Sequence, residues 1–277
     1  MSAHLLGVVT LIYFSAALLF LVARVFQRPR LDWLARGGLV LGWGGHTGAL
    51  IYRWLESYQL GIGHAPLSNF YESLVFCSWS LVGVVCLGFW RQTRAYLGAL
   101  VATLAFLLLA YASLGGVDSR ITPLIPALRS NWLEIHVITC FISYAAFALG
   151  FGAALLYLIR TRQPRPSKGE ADPIPSAGEL DHLIYRTIVI GFFMLTLGIL
   201  TGAVWAEAAW GTYWSWDPKE TWSLITWLIY AALLHARLVK GWQGKRIAIL
   251  AVVGFLAVLF TYFGVSFLLP GLHAYLT

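Results

Sequence analysis

The stretch WGTYWSWDPKETW, 210–222, sets four tryptophans and a tyrosine around Asp217, Lys219 and Glu220 in a chain whose other long runs are almost purely apolar. Indole and phenol rings at this density make a surface for a large, flat, apolar ligand that stacks on aromatics and keeps its polar groups at the edge. Trp210, Tyr213, Trp214 and Trp216 supply the rings, Gly211 leaves room beside them, and Lys219 can meet an anionic group at the ligand's edge. The same residues carry a second signal. Asp217 as N-cap, Pro218 at the first helical position and Glu220 three residues after the cap are the order of a helix start. Tryptophan and tyrosine also favour membrane interfaces in general, so a capped helix entry with an aromatic belt is the plainer account. Its difficulty is density: Trp205, Trp210, Trp214, Trp216 and Trp222 crowd into eighteen residues.

Composition dictates the elements that must position this stretch. Of 277 residues 59% are hydrophobic and only 11% charged, which excludes a water-soluble globule with a polar surface. The expected fold is all-α, a polytopic integral membrane protein forming one domain over 1–277. A crossing helix needs ~20 mostly apolar residues, and about eight such runs occur: 3–24, 36–53, 70–90, 96–115, 132–159, 184–205, 222–239 and 247–269. The second, with LGWGGHTGAL, is the weakest. The first lacks a basic region before its apolar run and reads as a retained helix rather than a cleaved signal.

The net charge of +7 has its explanation in orientation rather than in nucleic acid. With both termini outside, all but Arg53, Arg120, Arg129 and Lys219 of the 19 lysines and arginines fall in inward segments, as the positive-inside rule requires. The segment 160–182, rich in proline, serine and charge, reads as a cytoplasmic linker, and 205–222 as an outward tryptophan-rich loop. Cys77, Cys86 and Cys140 lie within helices without a CxxC pattern, so they read as small apolar residues rather than redox groups.

The topology then sorts the histidines. His136, in NWLEIHVITC, and His273, in LLPGLHAY, both fall at the outer face with the tryptophan stretch. One interfacial histidine is ordinarily a hydrogen-bonding bystander. Two at one depth beside an aromatic platform are natural axial ligands for a haem iron, and no cysteine or carboxylate cluster with them points to zinc. His46 and His235 lie within the membrane, where an ionisable residue is a functional candidate. His235 sits about 20 Å below Trp222, in the inner half of the bilayer, and cannot share an iron with the outer pair. A polar residue bonded within a glycine-lined helix interface is the plainer account of His46, and snorkelling toward the inner surface that of His235. His64, in GHAPLSNFYES, reads as a loop-shaping residue.

These residues resemble a known family. WGTYWSWDPKETWSLITWLIYAALLHAR, 210–237, is similar to the WWD domain of haem-handling proteins, and its WDPKETWS portion resembles the CcsA (ResC) branch of cytochrome c biogenesis, System II. GHAPLSNFYESLVFCSW at 63–79, the region of His136, and FGVSFLLPGLH at 263–273 agree.

The resemblance implies a haem lyase (holocytochrome c synthase) that works with a CcsB (ResB) membrane partner and joins haem b to the CxxCH cysteines of apocytochrome c. The membrane would be the bacterial cytoplasmic membrane, with the active face periplasmic or extracellular, or the thylakoid membrane. It further implies that His136 and His273 ligate haem iron at the tryptophan-rich face and that His235 belongs to an inner haem site, whose other ligand lies in the CcsB portion of fused members. Trp210, Trp214 and Trp216 would fix the ring, with Asp217 better read as a cap than as a proton donor. A haem exporter or chaperone of the CcmC type shares the loop and the outward histidines and is the alternative.

Overall fold

Long apolar runs without proline make long helices, and the computed structural model, which describes residues 1–91, 95–162 and 175–272, is built from them. The helices are α1 (Ser2–Val25), α2 (Pro29–Gln59), α3 (Phe70–Val84, continued by a π-helical turn Val85–Phe89), α4 (Ala95–Leu114), α5 (Asn131–Arg160), α6 (Ala177–Trp210), α7 (Pro218–Leu238) and α8 (Lys245–Leu259, continued by a π-helical turn Phe260–Gly264 into Val265–Leu268). A short 3-10 turn, Pro126–Leu128, precedes α5, and no strand occurs among the described residues. The chain is an all-α polytopic membrane protein.

Among the described residues six helical stretches are long and apolar enough to cross a membrane: Ser2–Val25, Phe70–Phe89, Tyr96–Leu114, Asn131–Arg160, Ala177–Trp210 and Lys245–Leu268. The expected crossings in α2 and α7 are not among them. Both helices are long, but α2 carries Arg36, His46, Arg53 and Glu56, and α7 carries Lys219, Glu220, His235 and Arg237, which dilute their apolar character.

Two observed boundaries differ from the expected ones. Helix α6 begins inside the stretch read as linker, because Ser176 and Glu179 form a capping box: Glu179 N–H donates to Ser176 Oγ (3.2 Å) and Ser176 N–H to Glu179 Oε2 (2.8 Å). Residues 163–174 of that linker lie outside the described residues. The loop between α6 and α7 spans only 211–217 rather than 205–222. Glu207, Ala208 and Ala209 favour helix and carry α6 on to Trp210, where Gly211 ends it in the left-handed conformation (φ 76°), its N–H on Glu207 O at 2.8 Å.

Helices α1, α2 and α4 pack together with α3, and α5 and α6 form the most extensive pair. Helix α5 bridges the two groups by lying on α3 and α8, and α7 closes against α6 and α8. At the centre of the second group the rings of Phe147 and Tyr230 stack at 3.6 Å. Gly191 and Gly254 lie against their outer faces, where a Cβ would approach ring carbons at 2.5 and 2.7 Å. Small residues that let rings and backbones approach are what hold helices together where lipid offers no hydrophobic contrast.

Polar ties gather at the two ends of the bundle. At one end Arg53 of α2 pairs with Glu72 of α3 at 2.9 Å, with only 4% and 1% of the side chains exposed, and Arg53 also donates to Ser119 O (3.0 Å). His64, buried, contacts Ala65 O (2.8 Å) and Thr122 O (3.0 Å) through its two ring nitrogens. It thereby joins the segment after α2 to the segment after α4, the loop-shaping role expected of it. At the other end Arg237 donates to both oxygens of Asp181 (3.0 and 2.7 Å), which also accepts from Gly244 N–H (2.8 Å). The first end holds the tryptophan-rich loop.

Candidate functional site

Helix α5 starts where Ser130 accepts a hydrogen bond from Trp132 N–H, and its second turn carries His136. The ring faces α6, where Nδ1 lies 2.7 Å from Gly198 O. A carbonyl only accepts, so Nδ1 donates, and when the ring is neutral its lone pair is on Nε2, the tautomer a metal-binding imidazole needs. The approach is possible because α6 has no side chain there. A Cβ on Gly202 would sit 2.6 Å from His136 Nδ1, and one on Gly198 would sit 2.6 Å from Cys140 Sγ. Trp205, one turn further on, stacks on the imidazole with ring centroids 5.8 Å apart and 22° between planes. Trp205 is itself 1% exposed, donates from Nε1 to Ala127 O (2.9 Å) and packs with Leu128 and Leu133. The segment before α5 thus locks the indole, and the indole with α6 locks the imidazole.

His136 lines a cavity whose empty volume, counting its open mouth, is about 1260 Å³. One wall is α5 and α6, with His136, Cys140, Ile199 and Gly202. The floor is aromatic. Phe141 and Tyr144 of α5 meet Tyr262 edge-on or tilted at 5.6 and 6.3 Å, and Tyr262 stands on the π-helical turn after α8, hydrogen-bonded to Ser73 Oγ at 2.7 Å. π-Helical turns inside α-helices are frequent at functional sites. The rim is Leu67, Ser68 and Asn69 with Phe70, the first residue of α3, and the remaining wall is Tyr213, Trp214, Lys219 and Glu220.

The loop 211–217 is shaped by its own charges. Asp217 caps α7, its Oδ1 accepting from Lys219 N–H (2.9 Å), while Glu220 reaches back to Asp217 N–H (3.1 Å) and Ser215 N–H (2.8 Å). Trp216, between those two amides, takes left-handed backbone (φ 60°), unusual for a bulky residue. Its indole is 69% exposed and stands edge-on to Trp214 at 5.7 Å. Asp217 Oδ2 also accepts from Leu272 N–H at 2.6 Å, which fastens the chain after α8 to the start of α7. Burial pulls the pKa of the Lys219 ammonium below its ordinary value, opposed by the nearby Asp217 carboxylate.

The sequence-derived residues divide accordingly. His136, Tyr213 and Trp214 come together around the cavity. Trp210 packs on Trp205 (4.9 Å) behind it, Gly211 ends α6, Trp216 stands at the loop's outer side, and Asp217 serves as the cap. His235 is exposed in the last turn of α7, about 24 Å along the helix from Lys219. His46 is fully buried in α2 with Nδ1 3.3 Å from Tyr13 OH and, among the described residues, no partner for Nε2. Neither lines the cavity. His273 lies outside the described residues.

Sequence reasoning missed Gly198, Gly202, Tyr144 and Tyr262. The spacing of Gly198 and Gly202 one turn apart on an apolar helix is a helix-contact signal that marks α6 as the face for α5. A π-helical turn has no comparable sequence signature.

Comparisons with known proteins give the family and the fold. The profile of a family described as cytochrome C assembly protein matches residues 67–273. Similar relatives are named cytochrome c biogenesis protein CcsA. That of Chlamydomonas reinhardtii is 47% identical over 82% of this chain and 64% of its own length. That of Synechococcus sp. (strain CC9902) is 43% identical over 83% and 82%, and that of Gloeobacter violaceus 38% identical over 94% and 91%. Among solved structures, cytochrome c heme lyase CcmF shares the fold, with a TM-score of 0.66 at 17% identity over 95% of this chain. This chain spans just under two thirds of the Chlamydomonas protein and 47% of CcmF. On the profile match and these identities, the chain belongs to the CcsA family of cytochrome c assembly proteins.

Proposed function

We propose that the cavity binds haem as a substrate and that the chain takes part in joining it to apocytochrome c, as a haem lyase subunit with a CcsB-type partner. The observation that carries this reading is His136. Its neutral tautomer is set by Gly198 O, its plane by Trp205, and it opens on an aromatic-lined cavity at the end of the bundle that holds the tryptophan-rich loop. The residues fit the substrate: an imidazole for iron, aromatic rings and aliphatic side chains for a flat macrocycle, and a glycine where a side chain would fill the slot.

In this reading the cavity end is the outer face and both termini lie outside. His273, the next residue in sequence after Leu272, is the second axial ligand. Joining haem to a CxxCH segment adds each cysteine S–H across a vinyl C=C. A carbon–sulfur bond forms, the hydrogen goes to the other vinyl carbon, and no net oxidation occurs. The chain's contribution is positioning: paired imidazoles saturate the iron, the aromatic walls fix the ring, and the histidine of CxxCH displaces one ligand on release. His235 and His46, remote from this cavity, have no part in that step. His235 would serve an inner haem site completed by the partner.

The test is reconstitution of the purified chain and its membrane partner with haem b, reductant and a CxxCH peptide, scored for covalent product by mass spectrometry. Thioether formation supports the lyase reading. Haem release to the peptide without a thioether replaces it with the exporter or chaperone reading.

A further inference from the structure

Lys219 is the one lysine or arginine among the described residues lining the cavity, and it stands on the wall formed by the start of α7. Buried or half-buried ammonium groups are ordinarily paired. This one has no carboxylate oxygen within ion-pair distance among the described residues, although two acids flank it in sequence.

Both acids are committed elsewhere. Glu220 accepts from the backbone of Ser215 and Asp217, and Asp217 accepts from the backbone of Lys219 itself and from Leu272. The hydroxyls on the same wall are also directed away: Ser223 Oγ donates to Glu220 O and Ser266 Oγ to Tyr262 O, each at 2.7 Å. Among the described residues the ammonium is therefore a donor with no carboxylate in ion-pair contact, on one wall of a mainly aromatic and aliphatic cavity. A single cation on a mostly apolar cavity wall suits a carboxylate on a large apolar molecule. A phosphate would call for several backbone N–H groups or an arginine fork.

We propose that Lys219 is the carboxylate-binding residue of this cavity, pairing with an acidic substituent of the porphyrin and so fixing which edge of the ring faces α7. The inference rests on the haem reading for the ligand's identity. It adds that the macrocycle is held from two sides, by His136 on the α5–α6 wall and by Lys219 opposite. Because the carboxylates of haem b share one edge, a single fixed cation selects among in-plane orientations and turns the vinyl-bearing edge away from α7.

The experiment compares haem b with its dimethyl ester, which keeps the ring, iron and vinyl groups but has no acid. Purified full-length wild type, Lys219→Met and Lys219→Arg are titrated with each porphyrin in detergent at neutral pH and followed by Soret absorbance. Wild type is expected to bind the free acid about tenfold tighter than the ester. Lys219→Met binds both alike at the ester's affinity, and Lys219→Arg keeps the preference. A wild type without preference, or a Lys219→Met variant that retains it, overturns the proposal while leaving haem binding intact. A wild type that binds neither porphyrin overturns the haem reading and this inference together.

Discussion

The Nδ1 of His136 and the carbonyl oxygen of Gly198 lie 2.7 Å apart across the α5–α6 interface, so a backbone group sets the tautomer of the side chain that faces the cavity. The ring reaches that carbonyl only because Gly202, one turn along, has no Cβ. Gly202→Ala must therefore push the imidazole out of its slot. Haem retained on purification is expected to fall about tenfold, with loss of the low-spin, six-coordinate absorption spectrum, and overpacking of this kind costs about 1–3 kcal/mol of stability. Gly178→Ala is the control, since a methyl group there meets nothing within 4 Å; its spectrum and yield should match wild type.

If His136 and His273 both ligate iron, replacing either by glycine abolishes cytochrome c assembly, and added imidazole restores it by filling the open coordination position. Assembly is read from haem-stained cytochrome c in a reporter strain. Wild-type levels in both variants without imidazole would remove the ligand assignment.

Arg53 and Glu72 form an ion pair withdrawn from solvent, and Glu72 also accepts from Ser68 N–H and Oγ at 2.9 and 2.8 Å. Removing one partner strands a buried charge, so Arg53→Met or Glu72→Gln should each destabilise by about 3–5 kcal/mol. The double replacement Arg53→Met with Glu72→Met should cost less than the two single changes added together. Thermal unfolding in detergent, followed by helical circular dichroism, measures the difference. Because Glu72 anchors Ser68 at the cavity rim, the single variants should also bind haem more weakly.

Asp217 caps α7 and holds Leu272. Asp217→Ala should cost about 1 kcal/mol from the lost cap and speed hydrogen exchange at the Leu272 amide, whereas Asp217→Asn, which keeps an acceptor oxygen, should lose less of both. With His273 as the second ligand, haem retention should follow the same order.

Burial lowers the Lys219 pKa, opposed by the carboxylate of the cap Asp217, with Glu220 the acidic neighbour on α7. A lysine so shifted gives up its proton below the usual ~10.4. The sign is fixed: preference for the free acid over the diester is full near neutral pH and declines as pH rises through the lysine's pKa. Lys219→Arg, which stays protonated, should keep its preference to higher pH. Binding titrations across the alkaline range test this. A preference independent of pH in wild type would mean that another group reads the carboxylate.

Much of the fold was legible because helix starts and apolar length are local properties. The order Asp217-Pro218-Lys219-Glu220 predicts the start of α7 where the structure has it. The serine and glutamate of Ser176-Ala177-Gly178-Glu179 carry the same kind of signal, obscured by the proline-rich composition before them. The loop boundary expected at Trp205 lies further on because Glu207, Ala208 and Ala209 are helix-forming residues that extend α6 to Trp210, although the aromatic density around them signals a loop. The cavity was legible only in outline. Trp214 and His136 were visible as chemistry, but Trp210 and Trp216 were not separable from Trp214 by residue type, since packing against Trp205 and a left-handed backbone at Trp216 direct them elsewhere.

The sequence by itself determined an all-α membrane chain, the start of α7, the aromatic stretch and the histidine that faces it, because apolar length, capping and residue chemistry act within a few turns of one helix. Only the tertiary structure decided that Gly198 and Gly202 open a slot for His136, that Lys219 stands on the α7 wall without an ion-pair partner among the described residues, and that His46 and His235 lie apart from the cavity. Each of those outcomes depends on which helix packs against which, and on the angle at which side chains meet across the interface. Helix–helix contacts in an apolar solvent are selected by fit between distant segments rather than by any local pattern.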